Sequence, residues 1–320
     1  MPNHPELEAL IRTNYLNTAN ILIKPIPKGV ENQNYFVWLD GREFVLRVYS
    51  VKHATTGVRR KQDIDFEIHF IEHLRKHKVL TPEVIRTLDG SKIASAAIND
   101  ETRYAVLFEY IIGEEPASYN EEIARSIAKT LLNIRKASSS FQYKEVRAWP
   151  GNIIEVSLNY YAENRRPIDI YKDVLDSLYD NASAGYEKIK KATLPTGIIH
   201  GDIKLENVLV DSNQVKAVLD FDDYRESYLL EELTRTLLHD LESTTRNAIR
   251  SGHFHDFREI FENDPSVSTT EMTSLKTFLR ARFIYDVAVN LSHGYKGLVD
   301  ELFEDKNIAE VMGFIPARSP

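Results

Sequence analysis

Three side chains suited to phosphoryl transfer lie close together within residues 198–223. Asp202 comes first, Asn207 follows it by five positions, and Asp220 stands at the end of an apolar run. Transfer of a phosphoryl group from ATP needs a carboxylate that orients the attacking hydroxyl and takes its proton, and oxygen ligands for Mg²⁺. The residue types and their spacing therefore predict Asp202 as the base, with Asn207 and Asp220 as metal ligands.

The flanking residues predict a loop and a hairpin that would bring these side chains to one place. Residues 208–210 and 215–219 have the composition of short strands, and the Asp-Ser-Asn between them is a turn signal. A single Asp or Asn in a turn usually stabilises only that turn. Three of them in this order and spacing favour a catalytic role. His200 is predicted to support the loop rather than to react.

The run His-Gly-Asp-Ile-Lys-Leu-Glu-Asn at 200–207, with Leu-Asp-Phe-Asp at 219–222, resembles the aminoglycoside phosphotransferase and choline kinase superfamily. This is the small-molecule branch of the protein-kinase-like fold. Residues 29–36 are similar to the corresponding stretch of bacterial homoserine kinases of that fold. The resemblance implies an ATP- and Mg²⁺-dependent kinase. Its acceptor would be a hydroxyl of homoserine, of a choline-like amino alcohol or of an aminoglycoside.

Lys204 departs from this branch, which often has a histidine there, and instead matches the Ser/Thr protein kinases. As a point charge it is a candidate catalytic residue beside the transferring phosphate. A solvated loop lysine is the alternative. A protein kinase would carry a longer activation loop after the metal aspartate. The sequence instead predicts a helix almost directly after Tyr224, which favours a small-molecule acceptor.

Arg47 and Glu67 are candidates for holding the nucleotide phosphates. Arg47 falls where the third strand of a kinase carries its phosphate-binding lysine, and a guanidinium can bind phosphate with two hydrogen bonds. Glu67 lies within the apolar stripe of the next helix and needs a partner there. The two residues are predicted to form an ion pair. A solvent-facing Arg47 and a Glu67 at the edge of the water are the alternatives.

Three other positions are candidates for binding the nucleotide. Asn32 lies in the loop 29–34, which has a single glycine, and asparagine tolerates left-handed backbone angles better than most residues. It could partly replace the glycines that cover the phosphates, although an ordinary hairpin loop is the alternative. Residues 111–113 (Ile-Ile-Gly) are predicted as the hinge, where the backbone groups of Glu109 and Ile111 would bind adenine. An ordinary exit from a strand is the competing interpretation there.

The composition indicates a soluble globular protein rather than a nucleic-acid-binding or membrane protein. The 320 residues are 42% hydrophobic and 28% charged, with a net charge of −8 and no cysteine. The negative charge disfavours nucleic acid as a partner. We see no signal peptide and no apolar run long enough to span a membrane, so we expect a cytoplasmic protein. The oligomeric state is left open.

We expect an α+β, bilobal protein-kinase-like fold. Residues 1–112 would form a nucleotide-binding lobe with an antiparallel sheet and one helix, and residues 113–320 a helical catalytic and substrate lobe. A nucleotide-binding pseudokinase and a protein Ser/Thr kinase are the alternative functions. Carboxylates after the metal aspartate could bind a cationic acceptor or could be solvated at a helix start: Asp222, Asp223, Glu226, Glu231 and Glu232. Three aromatic residues could line a pocket or belong to the core: Trp149, Tyr160 and Tyr161.

Overall fold

The computed structural model describes residues 4–15, 20–27, 32–53, 57–98, 101–143, 152–164, 171–239 and 247–316. The chain divides into two compact units. They are Met1–Ile112 with Gln142–Ala148, and Gly113–Phe141 with Trp149–Pro320. The first unit thus contains a second stretch of chain that a single boundary after residue 112 does not include.

The first unit consists of an antiparallel sheet and two helices in its described part. Its elements are α1 (Pro5–Asn14), β1 (Ile21–Ile26), β2 (Gln33–Leu39), β3 (Arg42–Val48), β4 (Lys52–His53), β5 (Gly57–Val58), α2 (Lys61–Lys76), β6 (Val84–Ile85), β7 (Ala94–Ile98) and β8 (Glu101–Glu109). The sheet has the strand order β1-β2-β3-β8-β6, and β7 also pairs with β8.

The burial of side chains alternates along β3 and shows which face of the sheet packs into the core. Phe44, Leu46 and Val48 are buried in the cluster that also holds the apolar residues of α1. Because successive strand residues point to opposite faces, Val45 and Arg47 lie on the other side, where both are half-buried. The sequence of β3 therefore fixes the face on which Arg47 is presented.

The second unit is mainly helical, with short strand pairs. Its elements are α3 (Glu121–Ser138), α4 (Ile153–Asn164), α5 (Lys172–Ile189), β9 (Thr196–Ile199), β10 (Val208–Asp211), β11 (Gln214–Val218), β12 (Arg225–Tyr228), α6 (Leu229–Leu238), α7 (Phe254–Glu262), α8 (Thr269–Ser292), α9 (Lys296–Glu304) and α10 (Lys306–Met312). The long helix α8 packs against α4, α5 and α6. Asn120 caps α3, because its Oδ1 accepts the Ile123 N–H at 2.8 Å.

A strand lies where the sequence predicts a helix directly after Tyr224. Residues Arg225–Tyr228 form β12, which pairs antiparallel with β9 before α6 begins at Leu229. Arg225 and Ser227 are buried and Glu226 is exposed, so the burial follows the period of two of a strand. The buried positions carry polar side chains, which explains why hydrophobic periodicity does not reveal this strand.

Candidate active site

Asp202, Lys204 and Asn207 meet in the loop between β9 and β10. The Asn207 side-chain amide donates to Asp202 Oδ2 at 2.8 Å and to the Asp202 carbonyl at 2.8 Å. Lys204 Nζ lies 3.4 Å from the same Oδ2. Asn207 is buried, whereas Asp202 and Lys204 are half-buried. The structure therefore places the predicted base, the predicted catalytic lysine and one predicted metal ligand within one loop.

His200 links this loop to the chain just before Asp220. The Asp202 N–H donates to His200 Nδ1 at 3.2 Å, so the ring carries its proton on Nε2, which donates to the Leu219 carbonyl at 2.9 Å. The imidazole is fully buried and packs on Phe221, with ring centroids 4.4 Å apart. Both ring nitrogens are thus used by the backbone, which gives His200 a supporting position in the loop.

Asp220 is positioned by the hairpin of β10 and β11. The Leu219 N–H donates to the Asn207 carbonyl at 2.8 Å, one residue beyond the ladder that pairs Val208 with Val218. Asp220 follows immediately, with a left-handed φ of 63° that few residues other than glycine, asparagine and aspartate adopt. The hairpin thus brings the Asp220 backbone beside the loop that holds Asn207.

Asn207 and Asp220 suit a magnesium ion chemically. The Asn207 Nδ2 group is occupied by Asp202, whereas its Oδ1 accepts no hydrogen bond within the described ranges. An amide oxygen beside a carboxylate is an acceptable partial shell for Mg²⁺, which usually takes one or two protein carboxylates together with substrate phosphates. No group of three or more His, Cys, Asp or Glu residues in the described chain forms a separate metal site.

Glu232, on α6, holds the start of residues 200–207, which we call the catalytic loop after the role predicted for it; the sequence position of Glu232 does not reveal this contact. Its carboxylate accepts the His200 N–H at 2.5 Å and the Gly201 N–H at 3.1 Å, and the residue is 5% exposed. Burial raises its pKa, against the charge of Arg225 and these two N–H groups. Gly201 has a φ of 82°, and a Cβ there would lie 2.6 Å from the Asp223 carbonyl.

The prediction that Glu231 and Glu232 are solvated is wrong. Glu231 is 1% exposed, forms an ion pair with Arg225 and accepts a hydrogen bond from the Ser227 hydroxyl. Since Glu232 is bonded to the catalytic loop, neither carboxylate is placed to bind a cationic acceptor. Buried carboxylates of this kind require such partners. Of the other candidates, Asp222 is buried, Asp223 half-buried and Glu226 exposed.

Arg235 and His239 approach Asp202 from α6 and its C-cap. His239 Nε2 donates to Asp202 Oδ1 at 2.5 Å, and Arg235 Nη2 lies 3.9 Å from the same oxygen. Burial raises the pKa of Asp202, but the hydrogen bond from His239 and the charges of His239, Lys204 and Arg235 outweigh it and hold that pKa well below its usual range. The predicted base is therefore ionised at neutral pH.

The four-residue spacing of Arg235 and His239 was the one sequence signal that could have marked them as functional residues. Residues four apart share one face of a helix, and the remainder of α6 is almost entirely buried. Two basic side chains on a buried helix need partners or a ligand. This signal does not identify Asp202 as the group that they face.

The predicted ion pair between Arg47 and Glu67 is present in the first unit. Arg47 Nη1 lies 3.4 Å from Glu67 Oε1, and the Tyr49 hydroxyl donates to the same oxygen at 3.1 Å. Arg47 Nε also donates to Asn34 Oδ1 at 3.2 Å. Glu67 is 1% exposed, so the alternative of a glutamate at the edge of the water is wrong. The pair fixes the guanidinium beside the β2–β3 ladder.

The other nucleotide candidates lie at three separate places in the first unit. Asn32 is buried, and its Oδ1 accepts the Ser50 N–H at 3.1 Å; the preceding loop residues 28–31 lie outside the described ranges. The Glu109 N–H donates to the Glu83 carbonyl at 2.9 Å, so this donor is already used. The backbone of Ile111 makes no hydrogen bond with any residue in the described ranges.

The aromatic pocket candidates belong to the packing of helices. Tyr161 is fully buried, and its hydroxyl donates to Asp176 at 2.9 Å. Tyr160 packs against Tyr285 of α8, with ring centroids 5.0 Å apart. Trp149 lies outside the described residues. No described helix is long and apolar enough to cross a membrane.

Known proteins of similar sequence are phosphotransferases. The profile of the phosphotransferase enzyme family matches residues 22–267. A homoserine kinase of Zymomonas mobilis subsp. mobilis is 26% identical over 216 residues, which are 65% of this chain and 61% of that relative. The alignment thus spans less than two thirds of the relative's length.

Solved structures of similar fold are kinases of small molecules by their descriptions. An amicoumacin kinase in complex with AMP-PNP and Ca²⁺ superposes with a TM-score of 0.68 at 15% identity, covering 98% of this chain and 96% of that chain. A microcompartment-associated aminopropanol kinase superposes with a TM-score of 0.67 at 16% identity, covering 97% and 99%. Identities this low establish the likeness of the fold alone.

The first unit has an antiparallel sheet with the paired Arg47 and Glu67, and the helical second unit holds Asp202 and Asn207 in one loop; together with the superpositions this defines a kinase-like fold. Since the family profile matches well over half of the sequence, this chain belongs to the phosphotransferase enzyme family. The predicted superfamily and the α+β kinase-like fold are thereby confirmed.

Proposed function

We propose that this protein transfers the γ-phosphoryl group of ATP to a hydroxyl of a small molecule, with Mg²⁺ as cofactor. The hydrogen bond between Asn207 and Asp202 Oδ2 is the observation that carries the proposal. It holds an ionised carboxylate against a predicted metal ligand, which is the arrangement that hydroxyl phosphorylation requires. Because ATP would be its substrate, we expect the protein in the cytoplasm.

In the proposed reaction the acceptor hydroxyl oxygen attacks the γ-phosphorus as the bond to the β–γ bridging oxygen breaks, and ADP leaves. Asp202 orients the hydroxyl and takes its proton. Its lowered pKa makes it a weak base, so orientation would dominate, as expected for phosphoryl transfer with a loose transition state. Lys204 stands 3.4 Å from Asp202, where its charge could stabilise the transferring phosphoryl group.

Asn207 and Asp220 would hold the metal ion, which supplies charge neutralisation for the phosphates when it is bound. In the first unit, Arg47 would bind nucleotide phosphate while Glu67 keeps its guanidinium in place. The backbone groups of Ile111 make no hydrogen bond with any described residue, and they would form hydrogen bonds with adenine. Asn32 would shape the phosphate loop through its bond to Ser50, and Glu109 would contribute through its carbonyl.

The relatives support this proposal through the chemistry that their names state. The amicoumacin kinase carries AMP-PNP, an ATP analogue, together with a divalent cation. Relatives in sequence and in fold are named for homoserine and aminopropanol. Both compounds are small and carry a hydroxyl, which supports a small hydroxyl compound as the acceptor here.

Coupled measurement of ADP release tests the proposal. Wild-type protein with ATP and Mg²⁺ should release ADP faster when one of a panel of small hydroxyl compounds is added, whereas a non-catalytic nucleotide-binding module would not respond. Asp202→Asn should lower turnover by about a hundredfold or more while AMP-PNP binding changes little. Asp211→Asn, an exposed aspartate of β10, is the matched control and should behave as wild type. Unchanged turnover in Asp202→Asn would contradict the assignment.

A further inference from the structure

Arg235 lies near Asp202, and its guanidinium donates no hydrogen bond to any residue of the described chain. Its side chain is 13% exposed, its nearest carboxylate oxygen is Asp202 Oδ1 at 3.9 Å, and no residue of the described ranges accepts a hydrogen bond from it. Its Nε is buried without a partner among those residues. Burial and the charges of Arg225 and Arg282 lower its pKa to about 10, so it remains cationic at neutral pH.

Two neighbouring arginines, Arg225 and Arg282, each have a carboxylate partner. Arg225 is paired with Glu231, and Arg282 Nε donates to Asp286 Oδ2 at 2.7 Å. The first pair is fully buried, and in the second Asp286 is buried while Arg282 is half-buried. A buried guanidinium is normally matched by a carboxylate in this way, since leaving the charge uncompensated is costly. Arg235 therefore has the coordination of an arginine whose anionic partner arrives with a ligand.

The surroundings of Asp202 favour an anionic ligand over a cationic one. Lys204 and Arg235 approach it from different elements, and His239 already donates to Oδ1. An ammonium group placed beside Arg235 would face like charge. Two of the five carboxylates predicted as candidates for attracting a cationic acceptor, Glu231 and Glu232, are committed to other partners. Neither Glu231 nor Glu232 would therefore neutralise a polycationic acceptor bound beside Asp202.

We propose that Arg235 binds a carboxylate of the acceptor, so that the acceptor is a short hydroxy acid, such as an amino acid with a side-chain hydroxyl. The inference rests on the proposed function. The 3.9 Å between Arg235 Nη2 and Asp202 Oδ1 sets the scale. With a hydrogen bond of about 2.8 Å at each end, the acceptor's hydroxyl and carboxylate oxygens lie at most about 9.5 Å apart. A short aliphatic chain meets that limit, and the planar guanidinium can bind the carboxylate bidentately.

Matched acceptors that differ only in the carboxylate test the inference. ADP release is measured with L-homoserine and 3-aminopropan-1-ol, with L-threonine and 1-aminopropan-2-ol, with homoserine amide, and with kanamycin as a polycation. Wild-type protein should prefer at least one acid over its decarboxylated partner by about a hundredfold in kcat/KM, because its site would be left with an unpaired charge by the analogue. The amide should behave like the amino alcohol.

Variants assign the preference to Arg235. Arg235→Met should raise KM for the acid by about tenfold or more and erase the preference, with KM for ATP within about twofold of wild type. Arg235→Lys should retain part of the preference. Arg258→Met, at an exposed arginine of α7, should change neither constant. Thermal unfolding of each variant verifies that it is folded, and calorimetric titration of homoserine onto the AMP-PNP complex gives a binding readout without turnover.

The outcomes separate this inference from the proposed function. ADP release with the amino alcohols or kanamycin but not with the acids would overturn the carboxylate site and leave the phosphotransferase proposal standing. An Arg235→Met variant that raises KM for ATP rather than for the acid would assign the arginine to nucleotide phosphate and would overturn the inference equally. Absence of ADP release with every compound would reject both proposals.

Discussion

Removal of the Glu232 carboxylate should destabilise the second unit and disorganise the catalytic loop. This carboxylate is 5% exposed and accepts the N–H groups of His200 and Gly201 at 2.5 and 3.1 Å. Glu232→Ala leaves both N–H groups buried without an acceptor. A buried donor that loses its partner costs about 1–3 kcal/mol, so the two together predict a loss of about 2–6 kcal/mol in the free energy of unfolding.

Glu232→Gln should lower the free energy of unfolding by less than Glu232→Ala, because of the geometry of the two hydrogen bonds. One carboxylate oxygen, Oε2, lies 2.5 Å from the His200 nitrogen and 3.2 Å from the Gly201 nitrogen. A glutamine oxygen at that position can accept both N–H groups. The amide nitrogen then faces the Gly201 N–H, a donor against a donor. We therefore expect a loss of about 1–3 kcal/mol, the cost of one poorly satisfied group.

Urea unfolding followed by circular dichroism measures these differences, and amide hydrogen exchange at His200 and Gly201 locates them. Both amides should exchange faster in Glu232→Ala, and turnover should fall because Asp202 follows them directly in the chain. Glu226→Ala, an exposed glutamate of β12, is the control and should lie within about 0.5 kcal/mol of wild type. A Glu232→Ala protein as stable as this control, with protected amides, would refute the reasoning.

Two further predictions concern buried carboxylates. Glu231→Ala removes the carboxylate that neutralises the buried Arg225 guanidinium and should cost about 3–5 kcal/mol in chemical unfolding; a cost below about 1 kcal/mol would show that the pair is not desolvated. Asp202→Asn should lose stability at pH 7, and this difference should shrink as pH falls below 3.8, because an aspartate with a lowered folded pKa contributes stability above its unfolded value and loses it as pH falls through the folded one. A difference that does not change with pH in thermal melts would contradict the lowered pKa.

The catalytic loop was predictable from sequence because its geometry is local. Asn207 reaches Asp202 across five residues, and Asp220 follows a short hairpin whose strands and turn are visible as apolar runs and a polar turn. The ion pair of Arg47 and Glu67 was predictable for a different reason. A glutamate in an apolar helical stripe must have a partner, and Arg47 stands where the third strand of a kinase carries its phosphate-binding cation.

Glu232, Arg235 and His239 could not be assigned from sequence, because their roles depend on where α6 meets the loop. Glu232 lies 31 or 32 residues after the two amides that it accepts. No local pattern relates those positions. The strand β12 was not predicted from the sequence for a related reason: its inward positions are Arg225 and Ser227. A period of two made of polar residues cannot be distinguished from a solvated loop until their buried partner, Glu231, is known.

The charged residues of α6 differ in what they contribute to the site. Glu231 is neutralised by Arg225, and Glu232 is held by the backbone of the catalytic loop, so both serve the position of Asp202 rather than its charge. Arg235 makes no hydrogen bond with a described residue, and its Nη2 lies 3.9 Å from Asp202 Oδ1, the oxygen to which His239 already donates. Since a half-buried charge with so weak a partner is costly unless function retains it, this arginine is the position at which an acceptor's charge would be read.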